Sequence, residues 1–160
     1  MLHIDIICIG KVKESFFREA IQEYSKRLSK YCILNIQELP DEKIPLTLNE
    51  KKINQIKEKE SSRIASHIRK GSYVICLDLN GKELSSTELA ENINSLSLTN
   101  FSNITFIIGG SLGLSKELLN SANQKICFSK LTFPHQLIRI FLLEQLFRSF
   151  KILNGETYHR

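Results

Sequence analysis

The apolar residues of this chain change their spacing several times, from short β-rich runs to longer stretches of helical period. The runs at about 2–9, 33–39, 73–79, 104–108 and 125–128 predict strands. The stretches at about 14–29, 49–69, 85–95, 115–123 and 135–152 predict helices. The order βαβαβαβαβα predicts an α/β fold, with a mostly parallel sheet and helices on both of its faces.

A sheet of this kind binds ligands beyond the carboxyl ends of its strands. Three predicted loops occupy that edge, at residues 78–82, 109–114 and 129–135. The turn dipeptide Asn80-Gly81 lies in the first of them. The functional residues are therefore expected in these three loops.

The chain has 160 residues, of which 42% are hydrophobic, and this predicts a single domain over 1–160 with one core. No apolar run approaches the roughly 20 residues of a membrane span, so no membrane association is expected. The first residues lack the basic stretch and apolar run of a secretory signal. A cytoplasmic location is therefore predicted.

The four cysteines lie singly in apolar runs, at Cys8, Cys32, Cys76 and Cys127. Metal ligation would need clustered Cys or His residues, and a disulfide framework is typical of exported chains. The spacing therefore predicts buried free thiols and no metal site.

Basic residues exceed acidic residues, 22 to 17, which leaves a formal charge of +5. They cluster at Lys11, Lys13, Arg18, Lys26, Arg27 and Lys30, and again at Lys51, Lys52, Lys57, Lys59, Arg63, Arg69 and Lys70. Acidic residues alternate with both groups, so ion pairs between successive helical turns explain part of the pattern. The charge permits a polyanionic partner such as RNA without demanding one.

The predicted loop after the fourth strand is rich in glycine, with Gly109, Gly110 and Gly113. The dinucleotide fingerprint G-x-G-x-x-G would need glycine at Ser111 and Leu114, and a Walker loop would need a terminal G-K-[ST]. Neither pattern is present. A loop whose backbone closely approaches a ligand and a tight turn without a ligand both remain open.

The same loop satisfies G-x-S-x-G, the nucleophile elbow of serine hydrolases, with Ser111 as the nucleophile. A triad would take its acid from Glu117, Glu144 or Glu156 and its base from His135 or His159. No aspartate follows Asp78, and the chain is short for that fold. A serine hydrolase is therefore a minor alternative.

The last third of the chain combines an apolar loop, an amphipathic helix and a polar tail. Apolar side chains with exposed backbone amides in residues 129–135 suit a flat heteroaromatic ring such as adenine. The helix that follows has an apolar face wider than one buried side needs, which favours a homodimer. The tail ends in groups able to bind phosphate or a base: Tyr158, His159 and Arg160.

These segments together resemble the ribosomal RNA large subunit methyltransferase H family of SPOUT-type knotted methyltransferases. The similarity is carried by IIGGSLGLS from Ile107, LTFPH from Leu131 and the terminal YHR from Tyr158. IICIGKVK from Ile6 and LDLNGK from Leu77 are similar to the family as well, as are Arg139, Glu144 and Arg148. The resemblance extends over the whole chain.

The resemblance implies a deep trefoil knot at the carboxy-terminal end of the fold and a site for S-adenosyl-L-methionine within it. The knot is an addition that periodicity does not predict, because most connections are unknotted. The cofactor residues implied are Leu77, Gly109, Phe128, Ser129, Lys130, Leu131, Thr132 and Phe133. They lie in, or directly before, the three loops already expected at the sheet edge.

The resemblance also implies a homodimer that shares its active site and methylates N3 of a pseudouridine in 23S rRNA within the assembled 70S ribosome. His159, Tyr158, Arg160 and His135 are the candidate catalytic residues, with His159 as the base and Arg160 on phosphate or the developing anion. Lys11 and Lys13 are expected to contact RNA phosphates. A non-catalytic rRNA-binding or ribosome assembly factor is the alternative from another functional class.

Overall fold

The protein is described by a computed structural model that covers residues 1–159. Within these residues five strands alternate with five helices, in the predicted order. The strands are β1 (Leu2–Ile9), β2 (Cys32–Leu39), β3 (Tyr73–Glu83), β4 (Asn103–Ile108) and β5 (Gln124–Cys127). The helices are α1 (Ser15–Leu28), α2 (Glu50–Ala65), α3 (Ser86–Leu98), α4 (Lys116–Ser121) and α5 (His135–Leu153).

The strands form one sheet in the order β2-β1-β4-β3-β5, and every neighbouring pair is parallel. In the register of the sheet, Ile6 of β1 lies between Ile36 of β2 and Phe106 of β4. Such a central strand has no face in water, which explains why β1 and β4 are almost continuously apolar. The predicted parallel α/β architecture is confirmed.

Two helical layers cover the sheet. Ile4, Ile6 and Cys8 point to the face that carries α1, α3 and α5, whereas Ile7 and Ile9 point to the face that carries α2 and α4. This alternation follows from the two-residue period of a strand. The predicted placement of helices on both faces is therefore correct.

The long apolar face of α5 is buried within the chain. Leu142, Leu143, Leu146, Phe147 and Phe150 belong to the core, where α5 packs against both α1 and α3. A helix flanked by two others has to be apolar over a wider arc than a surface helix. The width of the face is thus explained without a second subunit, and the homodimer needs other support.

The third strand differs from its prediction. Asn80-Gly81 was expected to end it in a turn, but β3 continues to Glu83 and its register shifts, so that Leu77 and Lys82 both pair with Ile126 of β5. A Cβ atom on Gly81 would lie 2.6 Å from the carbonyl carbon of Ile126. Glycine therefore allows two backbones to touch where the sequence suggested a turn.

The second helix is shorter than expected, ending at Ala65 rather than near residue 69. His67 N–H donates to the carbonyl of Ile64 at 2.9 Å, a tighter bond than the α-helical pattern, and this closes the last turn. None of the described helices is long and apolar enough to cross a lipid bilayer. The trefoil knot implied by the resemblance stays a prediction.

Gly81→Ala is expected to destabilise the protein by about 2 kcal/mol, because the added methyl group cannot fit against the β5 backbone without moving a strand. The measurement is urea unfolding followed by circular dichroism. Asn80→Ala, at the exposed neighbouring position, is the control and should change stability little. Equal stability of the two variants would contradict the close approach of β3 to β5.

Candidate functional site

The carboxyl ends of β1, β4 and β3 lie side by side at one edge of the sheet. In the register, Ile107 of β4 pairs with Ile7 of β1 and with Cys76 of β3. After β4 the chain continues to α4, on one face of the sheet. After the neighbouring strands β1 and β3 it continues to α1 and α3, on the opposite face. These reversals create two crevices, one on each side of β4, of the kind in which α/β sheets bind ligands.

Because Cys76 pairs with Ile107, Leu77 and Gly109 lie just beyond the paired parts of β3 and β4, on opposite sides of the crevice between these strands. Leu77 also pairs with Ile126, so the end of β5 lies beside it. The segment that leaves β5, residues 128–134, then runs to the start of α5 at His135. The structure therefore brings the three predicted segments to one edge, where residues 109–114 and 128–134 form loops but residues 78–82 continue β3.

A cleft of about 440 Å³ opens between this segment, α3 and α5. Its apolar wall is formed by Leu84, Leu89, Ile126, Phe128, Phe133 and Phe141, and its polar rim by Ser85, Ser86, Ser129, Glu144 and Gln145. Ser86 Oγ donates to Gln145 Oε1 at 2.7 Å and so ties α3 to α5 at the rim. Apolar walls with a few polar groups are typical of a site for a small organic ligand.

Leu77 and Gly109 do not line the cleft, and the other six predicted cofactor residues divide into two groups around it. Phe128, Ser129 and Phe133 line it, and the Phe133 ring packs edge-on against Phe141 with centroids 5.4 Å apart. Lys130, Leu131 and Thr132 lie exposed on the outside of the segment, where Leu131 is 69% exposed. The turn between the groups is held by Leu131 N–H, which donates to Ser129 Oγ at 3.0 Å.

The glycine loop is short and closely held. Gly113 N–H donates to the carbonyl of Gly110 at 3.0 Å, and Gly113 has a φ of +87°, which favours glycine. At the end of the loop, the Ser115 hydroxyl caps α4, and Ser115 N–H donates to Ser61 Oγ of α2 at 2.9 Å. The loop thus keeps a defined shape at the edge of both crevices.

The serine hydrolase alternative fails on this geometry. A nucleophile elbow holds its serine in a strained turn with an unfavourable backbone conformation. Among residues 1–159, positive φ angles occur only at glycines, so the backbone of Ser111 is not strained in this way. Ser111 and His135 line the same small cavity without a hydrogen bond between them in the described chain. Ser111 is therefore not positioned as a nucleophile.

A buried guanidinium joins α5 to the end of β1. Arg139 is 2% exposed, and its Nη2 donates to the carbonyls of Ile9 and Gly10 at 2.9 and 2.8 Å. Its Nη1 donates to Glu38 Oε2 at 2.7 Å, and the same oxygen accepts from Val12 N–H at 2.7 Å. Arg139 thus fixes the loop that carries the exposed residues on either side of Val12.

His135 is the first residue of α5, and it is half-buried against the end of β1. Burial, reinforced by the Arg139 guanidinium, lowers the pKa of His135 below its ordinary value, so the imidazole is neutral at neutral pH. Roughly 13 Å of helix separates it from Glu144. The structure therefore does not bring His135 together with the tail.

The tail folds back on α5 beside the cleft. Glu144 accepts from Arg148 Nη2 at 2.6 Å and from the Tyr158 hydroxyl at 3.2 Å, and Arg148 lies over the Tyr158 ring at 4.8 Å. Burial and the Glu144 carboxylate raise the pKa of Tyr158, which keeps its hydroxyl protonated. His159 Nδ1 lies 3.2 Å from Arg148 Nη1, whereas Arg160 lies outside the described residues.

Sequence reasoning missed several residues that shape this region. The hydroxyl of Tyr31 donates to Glu156 at 2.9 Å and so anchors the tail, with Lys151 on the same carboxylate. Glu60 of the charged helix α2 is 4% exposed beside Gly110. Neither residue has a local sequence signal, because each acts on a segment distant in the chain.

Comparisons with known proteins agree with this geometry. A family model described as "Predicted SPOUT methyltransferase" matches residues 2–159. "Ribosomal RNA large subunit methyltransferase H" of Clostridium novyi (strain NT) is 59% identical over 99% of this chain and 100% of its own length. The protein of the same name from Clostridium tetani (strain Massachusetts / E88) is 54% identical over the same shares.

Among solved structures, a probable methylase family protein from Haemophilus influenzae Rd KW20 aligns with a TM-score of 0.55. The alignment covers 98% of this chain and 70% of that protein, at 14% sequence identity. At this identity the likeness supports the fold alone. Among residues 1–159, no group of three or more His, Cys, Asp or Glu side chains is arranged to hold a metal ion.

His135 is expected to titrate below its ordinary pKa of 6.5, because burial and Arg139 disfavour the imidazolium. As pH falls, the unfolded chain then binds this proton first. The stability due to His135 is therefore complete above pH 6.5 and is lost as pH falls towards the folded-state pKa.

This pH dependence is measured by NMR titration of His135 and by unfolding of wild type and His135→Asn from pH 7.5 to pH 5. The other three histidines are common to both proteins and cancel in the difference. A His135 pKa above 6.5 would mean that the nearby Asp41 and Glu14 carboxylates dominate, contrary to this prediction.

Proposed function

We propose that this chain, which belongs to the SPOUT methyltransferase family, transfers a methyl group to RNA of the large ribosomal subunit. The relatives that carry this activity in their names match it over their whole length. One structural observation carries the proposal: Glu144 lines the cleft beside Phe128 and also accepts from Tyr158 of the tail. The candidate cofactor site and the candidate catalytic tail are therefore joined by a single side chain.

We propose S-adenosylmethionine as the methyl donor. Phe128, Phe133 and Phe141 offer aromatic and apolar surface for an adenosine group, and the cleft has a volume suited to a molecule of that size. Ser129 and Glu144 at the rim supply acceptors for its hydroxyl groups. When bound, this cofactor supplies a sulfonium methyl group that is already activated for in-line attack.

We propose N3 of a pseudouridine in 23S rRNA as the methyl acceptor. That nitrogen belongs to an imide and must lose a proton, so the protein has to orient the base and accept or stabilise charge. Arg148, held on Glu144, supplies positive charge near the cleft that favours the anion of the base. Arg160 is proposed to bind phosphate or the developing anion.

His159 is the proposed general base. An arginine N–H can only donate, so His159 Nδ1 accepts from Arg148 in the described arrangement and the ring proton lies on Nε2. Nδ1 is then the basic nitrogen, and it can take the N3 proton only after Arg148 releases it. RNA binding would achieve this if a phosphate attracted the guanidinium.

The expected RNA contacts lie at the same sheet edge. Lys11 and Lys13 are exposed on either side of buried Val12, whose N–H is held by Glu38. Because Arg139 fixes Gly10 and Glu38 together, the two ammonium groups project from a rigid loop. This arrangement suits phosphate contacts, which position RNA without reading its sequence.

We also propose that the chain works as a homodimer within the ribosome-bound complex. Leu131 and Phe141 are exposed beside the cleft and continue the apolar surface of Phe133. Exposed apolar groups around a functional cleft are typical of a protein interface. A second copy covering them would bring its own tail close to this site.

The proposal predicts transfer of labelled methyl from S-adenosylmethionine to 23S rRNA in assembled ribosomes, with much less transfer to free large subunits or naked rRNA. Recognition by ribosome shape is expected because the small protein offers little surface for reading bases. Nuclease digestion followed by mass spectrometry of the nucleosides identifies the modified base and atom. Cofactor binding without transfer to any of these substrates would instead support an assembly factor.

His159→Gln is expected to lower kcat by about 100-fold or more while leaving the Kd for the cofactor nearly unchanged, since it removes a general base but not the cleft. Steady-state methyl transfer to ribosomes measures kcat, and calorimetry measures Kd. His67→Gln, at an exposed histidine just beyond α2, is the control. Unchanged turnover of His159→Gln would eliminate His159 as the base.

A further inference from the structure

A series of hydrogen bonds crosses the rim of the cleft from α3 to the tail. Ser86 Oγ donates to Gln145 Oε1 at 2.7 Å, and Gln145 Nε2 donates to Glu144 Oε2 at 2.8 Å. Glu144 Oε1 in turn accepts from the Tyr158 hydroxyl at 3.2 Å. Ser86, Gln145 and Glu144 all line the cleft, so this series joins the candidate cofactor site to the candidate catalytic tail.

The two partners of Gln145 fix the direction of its amide group. A hydroxyl can donate or accept a hydrogen bond, whereas an ionised carboxylate can only accept. The amide nitrogen must therefore face Glu144, which leaves the amide oxygen for Ser86. Ser86 is the first residue of α3 and directly follows Ser85, whose capping box with Glu88 fixes the start of that helix. The start of α3 thus sets the direction in which Gln145 donates.

Arg148 binds a single oxygen of Glu144. Its Nε and Nη2 both donate to Oε1, at 3.0 and 2.6 Å. A guanidinium often pairs with a carboxylate as a fork, with one N–H on each of the two oxygens. Here Oε2 already accepts from Gln145, and this disfavours the fork. Oε1 is therefore the oxygen at which Arg148 and Tyr158 meet.

The position of the tail depends on the orientation of this carboxylate. Arg148 lies over the Tyr158 ring at 4.8 Å, and its Nη1 is 3.2 Å from His159 Nδ1. If Glu144 turned to form a fork with Arg148, Oε1 would leave the Tyr158 hydroxyl, and the guanidinium would shift against both tail residues. The Glu144 and Arg148 side chains are only 19% and 25% exposed, so water screens their contacts less than it does on the open surface.

We propose that Gln145 is a positioning residue for methyl transfer, whose amide holds the Glu144 carboxylate in the orientation that keeps Tyr158 and His159 beside the cleft. The inference rests on the proposed function, because it takes the tail as the catalytic segment. Gln145 transfers no proton itself, since its amide does not titrate. It acts through Glu144 and makes the geometry of the tail depend on the start of α3.

The test uses two variants of Gln145. Gln145→Met keeps the length of the side chain and removes both hydrogen bonds, whereas Gln145→Glu keeps the acceptor for Ser86 but loses the donor to Glu144. At saturating S-adenosylmethionine, both should lower the kcat of methyl transfer to ribosomes by roughly tenfold, because a small misplacement of reacting groups costs one to two orders of magnitude. The Kd of Gln145→Met for the cofactor, measured by calorimetry, should stay nearly unchanged.

The pKa of Tyr158 reports the position of Glu144 without any need for activity. Burial and the Glu144 carboxylate raise this pKa above its ordinary value of 10.0. Gln145→Met should lower it towards that value, because the carboxylate turns away from the hydroxyl. In a Glu144→Gln background, Gln145→Met should have no further effect. NMR of isotope-labelled tyrosine measures the pKa, and Tyr158→Phe identifies the signal.

Gln55→Met, an exposed site on α2, makes the same chemical change and should alter neither kcat nor the pKa of Tyr158. Urea unfolding of Gln145→Met should have a midpoint close to that of wild type, because Gln145 is only half-buried and methionine has a similar volume.

An unchanged Tyr158 pKa in Gln145→Met would overturn the assignment whether or not kcat fell, because Arg148 alone would then orient Glu144. A weaker cofactor affinity with kcat unchanged at saturation would also overturn it, by making Gln145 a direct cofactor contact. If wild type transferred no methyl group while the pKa of Tyr158 still fell in Gln145→Met, the proposed function would fail and the contact from Gln145 to the tail would stand.

Discussion

The arrangement of the functional edge depends on one buried guanidinium. Arg139 reaches from α5 to the last carbonyls of β1 and to Glu38 of β2, and so joins the helix that ends the fold to the strand that begins it. Its Nη1 and Nη2 groups are paired, whereas its buried Nε has no hydrogen-bond partner among the described residues. Removing a partner from a buried charge of this kind is strongly destabilising. The start of α5, the loop around Val12 and the cavity at His135 all take their positions from this contact.

At the same edge, the rigid core of the fold gives way to the polar residues of the candidate site. The helical layers enclose a core of isoleucine and leucine. The polar residues of the candidate site lie at the ends of neighbouring strands, where the chain continues to opposite faces of the sheet. The glycine loop is held from below by Ser61 and bordered by Glu60, and the tail is held by Glu144 and Tyr31. Flexible-looking segments of the sequence are therefore anchored by side chains from distant elements.

The strands and helices could be predicted closely because their apolar period follows directly from which face is buried. The prediction failed at Asn80-Gly81, where a turn dipeptide lies inside a strand, since the local signal cannot register a backbone approaching from β5. The wide apolar face of α5 was read as a dimer contact, but α1 and α3 cover it within the chain. Ser111 matched a hydrolase pattern without the strained backbone that this chemistry requires.

The alternating α/β order could be read from the sequence alone, as could the family, through the GGSLG, LTFPH and YHR segments. Two of the three loops predicted at the sheet edge are also present, whereas residues 78–82 lie within β3. Each of these follows from residues that are neighbours in the chain, where period, turn chemistry and motif spacing act. The tertiary structure was needed to show that His135, at the start of α5, lies apart from the tail, which folds back along α5 to Glu144. It was also needed to show that Glu144 links the cleft to Tyr158. It also showed that Glu60 of α2 is buried beside Gly110. Burial and pairing arise between segments far apart in sequence, and local pattern carries no record of such contacts.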